Sequence, residues 1–151
     1  MIVAPPDRAT IAAAVMDDLL AVEVAVDDER VGVARILATT DVIVAGAPVV
    51  REITSRVGVR TRSLVDEGQP AAAGTPVIEL GGPVAAIRAI APLGLTWLVR
   101  CGAVASGATP PEAGNPIDAY AARLSARGAV GHDEPSFRLE IDPHRDEGIK
   151  G

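Results

Sequence analysis

Apolar residues recur every fourth position at Ile11, Val15 and Leu19, behind Asp7 and Thr10, either of which can cap a helix; this spacing predicts a first helix ending near Leu20. Val22, Val24 and Val26 then alternate with Ala21, Glu23 and Ala25, and beyond the acidic turn Asp27-Asp28-Glu29 the segment 31–38 again reads as strand. The two together predict a hairpin. After Asp41 the stretch 42–45 stays extended. Gly46-Ala47-Pro48 opens a second helix that buries Val49, Val50, Ile53 and Val57, with Pro48 suited to its first turn and Gly58 to the residue after its last.

Strand alternation returns over 59–65, where Val59, Thr61, Ser63 and Val65 oppose Arg60, Arg62 and Leu64. Asp66-Glu67-Gly68-Gln69 is a turn, Gly74-Thr75-Pro76 a second break, and 77–80 a further short strand, after which Gly81-Gly82-Pro83 is expected to end the strand-rich region. From Val84 to Val104 the chain suits one or two helices, with a break or kink expected at Pro92, which lacks an amide donor and crowds the preceding turn. Asn115-Pro116 starts another helix with Ile117, Tyr120, Ala121 and Leu124 inward, and Gly128 is expected to stop it. Residues 1–130 therefore read as one domain and 131–151 as a polar C-terminal tail, in which 137–141 is the only strand-like piece. The order of helix, strands, helix, strands and helices argues for an α+β fold rather than a βαβ nucleotide fold.

Composition narrows the function. With one tryptophan, one tyrosine and one phenylalanine in 151 residues, the core must come from Val, Ile, Leu and Ala, and little is left to stack on nucleobases. Fourteen basic against twenty acidic residues give a net charge of -6, which disfavours nucleic acid and anionic lipid as partners. Lys150 is the only lysine, so a carrier lysine, a Schiff-base lysine and a phosphate-loop lysine are not expected in the folded body. A biotinyl or lipoyl carrier is set aside for the same reason. No uncharged apolar run approaches the roughly 18 to 20 residues of a membrane span. Pro5, Pro6 and Asp7 stand where a signal peptide would need positive charge, and the single Cys101 suits a reducing compartment, so a cytoplasmic location is expected.

Three stretches then carry a resemblance: ARILATTDVIVAGAPVVREI at 34–53, LVDEGQPAAAGTPVIELGGP at 64–83 and WLVRCGAVAS at 97–106. They resemble the "ARxxAxxxxVxAG…xPV", "LVxDGxxVxxGxxLxxVxGP" and "FLQRLSGIAT" segments of the N-terminal domain of quinolinate phosphoribosyltransferase, the carboxylating nicotinate-nucleotide pyrophosphorylase. Asp17-Asp18-Leu19 resembles the family's early "EDL", and the likeness covers about 16–106. It implies a small hammerhead, barrel-sandwich-like sheet packed with helices, which in the family covers a β/α barrel of the partner subunit. That barrel supplies most of the site where quinolinate, phosphoribosyl pyrophosphate and magnesium react. Only 45 residues follow Ser106 in this sequence, against at least ~200 for a barrel, so none is expected. The family's "ERTxLN" arginine reaches the substrate carboxylates across the dimer. Counting back without gaps from Arg100, which falls on a family arginine, puts Ala91-Pro92 at the "ER" pair. Arg88 could take the role only with a shifted register.

No residue is therefore expected to be catalytic, and no cofactor or metal is expected. Arg60 and Arg62, two apart on one strand face with Arg56 before them, could form a small-anion site; the plainer reading is a solvated strand face. Arg100 joins them as a ligand-binding candidate through the resemblance, and Arg35 reads as an internal ion-pair residue. Asp142, His144, Asp146 and Glu147, and likewise His132 with Asp133 and Glu134, offer metal-ligand atoms but read as a charged tail. Asp17, Asp18, Asp27, Asp28 and Glu29 read as helix-end and turn acids, and Cys101 as a packed thiol. The expectation is a stand-alone, non-catalytic binding or assembly module that pairs with itself as a dimer or with a separate protein. The alternatives are a subunit completing the pyrophosphorylase in trans with a separate barrel chain, and a small-anion sensor.

Overall fold

The spine of the fold is β1 (Val31–Ala38), in which Gly32, Val33 and Ala34 are all buried and burial alternates only from there on, Ile36 and Ala38 inside while Arg35 stands in solvent. The computed structural model describes residues 3–24, 30–109, 111, 114–125 and 134–142. Ahead of β1 lies α1 (Arg8–Leu20), capped by the Asp7 carboxylate, which accepts the Thr10 amide at 2.8 Å. After it come β2 (Val42–Ile43), α2 (Ala47–Ser55), β3 (Arg60–Ser63), β4 (Pro70–Ala71) and β5 (Pro76–Pro83). The chain closes with α3 (Val84–Ala105), α4 (Pro116–Ser125) and β6 (Phe137–Asp142). The main sheet has the order β3-β5-β1-β6 with every neighbouring pair antiparallel, and β2 pairs with β4 in a small second sheet. This is the expected α+β architecture, with open sheets and no β/α barrel among the described residues.

Two apolar clusters share α3. On one side Ile87 and Leu98 pack with Ile36, Ile78 and Leu80 of the sheet. On the other, Ile90, Trp97 and Cys101 pack with Ile11 and Val15 of α1, Ile53 of α2 and Ile117, Tyr120 and Leu124 of α4. The molecule is thus layered as sheet, then α2 and α3, then α1 and α4. The inward sets expected for α1, α2 and α4 are the ones observed, with Leu19 and Val57 only partly covered.

Three expectations are corrected. The first hairpin does not form: residues 22–24 are not in a strand, 25–29 lie outside the described residues, and β1 spends its two edges on β5 and β6. The strand read over 77–80 is longer, β5 continuing to Pro83 with Gly81, Gly82 and Pro83 opposite Val33, Gly32 and Val31, and the strand-rich region ends there as expected. Glycine is needed there because Gly82 has φ +148° and a Cβ on it would meet the Gly58 carbonyl oxygen at 3.1 Å. Pro92 does not break α3, which runs unbroken for 22 residues. Pro92 is exposed, and the Arg88 carbonyl that it deprives of a donor belongs to another exposed residue, so the loss falls on the wet side of the helix. The strand-like piece expected at 137–141 is present as β6, which pairs with β1 over its whole length. Gly128, His132 and Asp133, and all residues from Pro143 onward, lie outside the described residues, as do Asp27, Asp28 and Glu29.

By length and composition α3 is long and apolar enough to cross a membrane. Half of that stretch is buried between the two clusters, which is the habit of a central core helix.

Candidate functional site

Strand register brings the arginines of the sheet into one line. Arg62 of β3 stands opposite Glu79 of β5, Glu79 opposite Arg35 of β1, and Arg35 opposite Glu140 of β6. Side chains alternate across a strand, so all four project from the solvent face as a row of alternating sign. Arg62 donates to Glu79 at 2.8 Å, Arg35 lies 3.7 Å from the same carboxylate, and Arg138 pairs with Glu140 at 2.7 Å along β6. Arg56, the third member of the expected anion site, bonds instead to Glu52 on its own helix. Arg60 shares the outer face two residues from Arg62, opposite Gly81. The structure therefore keeps Arg60 and Arg62 on one face but gives Arg62 an internal acid, and it turns Arg56 elsewhere.

Arg100 holds the helical layer together. Its guanidinium donates to Asp118 of α4 through Nε at 2.9 Å and a terminal nitrogen at 2.6 Å, and it covers the Trp97 ring at 4.6 Å. Asp118 is only 1% exposed, so this fork-shaped pair is what makes its burial tolerable. Asn115 caps the same helix, its side-chain oxygen accepting the Ile117 and Asp118 amides. Sequence alone offers Arg100 as a ligand candidate and does not single out Asp118. The available signal was an acid in the first turn of a helix otherwise read for its apolar side.

A second polar knot sits at the start of α2. Glu67 reaches in from the turn after β3: Oε1 accepts the Gly46 amide at 2.9 Å and the Tyr120 hydroxyl at 2.6 Å, and Oε2 accepts the Ala47 amide at 3.1 Å. The carboxylate thus fills the anion-binding end of the helix from within. Burial pushes the Glu67 carboxyl above its usual range, against the pull of the Tyr120, Gly46 and Ala47 hydrogen bonds. Gly46 has φ +106°, and a Cβ there would sit 3.2 Å from the Cβ and Sγ of Cys101. Burial and the neighbouring Glu67 and Asp118 charges raise the Cys101 thiol far above a reactive range, and burial with Glu67 does the same to Tyr120. Neither is a nucleophile. In sequence Glu67 reads only as a turn residue and Tyr120 only as core, and nothing local joins positions 53 residues apart.

The third knot is Glu52, 3% exposed, which accepts from Arg8 of α1 at 2.8 Å and from Arg56 at 2.9 Å and 2.7 Å. Burial works to raise its pKa, but the two guanidinium groups outweigh that and hold it below the usual range. A groove of about 700 Å³ runs beside it, between the Pro5-Pro6 segment and α2, with Ile11, Pro48 and Arg51 on its walls. Among the described residues no group of three or more His, Cys, Asp and Glu could hold a metal ion. The charged groups at these places tie elements together through arginine–carboxylate pairs.

With that geometry in view, the likeness to known proteins is specific. The model of the family described as quinolinate phosphoribosyl transferase, N-terminal domain, matches residues 11–90. No curated protein sequence matches. The fold is similar to the nicotinate-nucleotide pyrophosphorylase from Francisella tularensis, with a TM-score of 0.61 and 16% identity over 70% of this chain and 40% of that one. It is also similar to a NadC deletion mutant, with a TM-score of 0.63 and 18% identity over 82% of this chain and 52% of the other. NadC from Streptococcus pyogenes gives 0.54 and 18% over 64% and 37%. This chain thus aligns with between 37% and 52% of the length of these three solved structures.

Proposed function

The chain belongs to the quinolinate phosphoribosyltransferase N-terminal domain family, and from that premise we propose that it is a non-catalytic binding or assembly module whose partner is a second copy of itself. The observation that supports this is the fate of the chain beyond α3. In the family it resembles, the corresponding helix leads toward a barrel. Here α3 is succeeded by α4, clamped back onto it by Arg100 and Asp118, and by β6, which completes the domain's own sheet. Pro92 stands where the resemblance puts the arginine that reaches a partner's substrate, and it presents no charge. The segment after α3 thus packs back onto this domain through α4 and β6.

Two measurements test the reading. The purified chain, supplied with quinolinate, phosphoribosyl pyrophosphate and magnesium, should form no nicotinate mononucleotide above background; product from the chain alone overturns it. Product that appears only on mixing with a separate barrel chain overturns the non-catalytic part in favour of a subunit acting in trans. Light scattering in solution should give a mass above that of the 15.4 kDa chain. A monomer at all concentrations removes the assembly role.

A further inference from the structure

We propose that two copies of this chain join edge to edge through β6, antiparallel about a two-fold axis at Leu139, so that their sheets become one. This rests on the assembly reading above and names its surface. Edge geometry, apolar pairing and charge complementarity carry it.

β6 is the end strand of the main sheet, and no strand among the described residues pairs with its outer side. The phase of its backbone is fixed by the Thr39 amide, which donates to the Ser136 carbonyl at 2.8 Å in the same register as the β1–β6 pairs. Antiparallel ladders alternate, so Arg138 and Glu140 turn their backbone groups toward β1, while Phe137, Leu139 and Ile141 turn theirs outward. A strand edge of this kind is a template for another strand, and recognition by strand addition depends on such edges.

Self-pairing about a two-fold axis admits registers that centre on a residue. Centred on Leu139, the apolar side sets Leu139 against Leu139 and Phe137 against Ile141, joining half-buried side chains that already pack on the sheet core of each copy. The solvent side sets Arg138 of one copy against Glu140 of the other, twice by symmetry. Centred on Glu140, the same strands would oppose Glu140 with Glu140, and like charges directly opposite each other repel. Charge complementarity thus selects the first register. It also extends the row already present: Arg62, Glu79, Arg35 and Glu140 would be continued by Arg138 of the second copy, with the sign alternating throughout.

The isologous geometry makes charge reversal decisive. Arg138→Glu and Glu140→Arg each place two like pairs at the join and should raise the dimer dissociation constant about tenfold or more by analytical ultracentrifugation. The double variant Arg138→Glu/Glu140→Arg restores both pairs and should recover the dimer. A wild-type monomer overturns the proposal. A dimer that ignores both single reversals also overturns it, while leaving assembly through some other surface intact. Should a variant fail to fold, amide exchange on the wild type decides: the Leu139 and Ile141 amides should slow as concentration rises across the dissociation constant, and equal exchange at all concentrations overturns the pairing.

Discussion

Two carboxylates in this domain, the buried Glu52 and the partly buried Glu67, respond to acid in opposite directions. Glu52 is held below the ordinary glutamate value of 4.5 by Arg8 and Arg56, so its contribution to stability is present above about pH 4.5 and is lost as pH falls through its folded value. Glu67 is held above the same 4.5, so ionising it costs the folded state progressively as pH rises from there through its folded value. Glu67→Gln should therefore flatten the loss of stability above pH 4.5 in urea titrations. It should not be stabilising outright at low pH, because the amide nitrogen would confront the Ala47 donor. Tyr120→Phe removes one of three donors to this carboxylate and should cost about 2 kcal/mol at pH 7 by urea denaturation. The cost should shrink below pH 4.5, where the carboxyl is neutral and has less need of the phenol. A penalty equal at both pH values would contradict a coupling between the Tyr120 hydroxyl and the titration of Glu67.

Among the elements α3 carries the most, and it does so with a proline in it. Pro92→Ala returns a donor to the Arg88 carbonyl on an exposed turn and should stabilise the domain, by about 1–3 kcal/mol in thermal or urea unfolding. Arg100→Ala strands the buried Asp118 carboxylate and should cost about 3 kcal/mol or more, loosening α4 from α3 in amide exchange. The helices were legible because their periodicity and caps are local: Asp7 before α1, Pro48 within the first turn of α2, and Asn115-Pro116 before α4 all act where they stand in sequence. Sequence misleads where partners are distant. How far β5 runs past Leu80 depends on Val33 and Gly32 lying opposite, and whether Pro92 breaks α3 depends on which side of the helix meets water. The polar knots were hidden for the same reason, since Arg100 finds Asp118 and Glu67 finds Tyr120 only after α4 has docked.

At the scale of the molecule, the two apolar clusters meet along one helix, with Trp97 on one side and Leu98 on the other. Neither cluster can open without disturbing α3, so unfolding is expected to be a single transition: Trp97 fluorescence and far-ultraviolet dichroism should trace superimposable curves in urea. Two separated midpoints would show that the helical layer and the sheet melt independently. The fold class and the family likeness were legible at this scale from the spacing of glycines, prolines and apolar runs. The charged row on the sheet was not, because a row is a property of register. One packing detail also gives the protein an internal clock. The only sulfhydryl in the chain is sealed behind Gly46, with no area open to solvent. A disulfide reagent such as Ellman's should therefore develop colour no faster than the whole body opens, and the rate of yellowing would read out the lifetime of the native state.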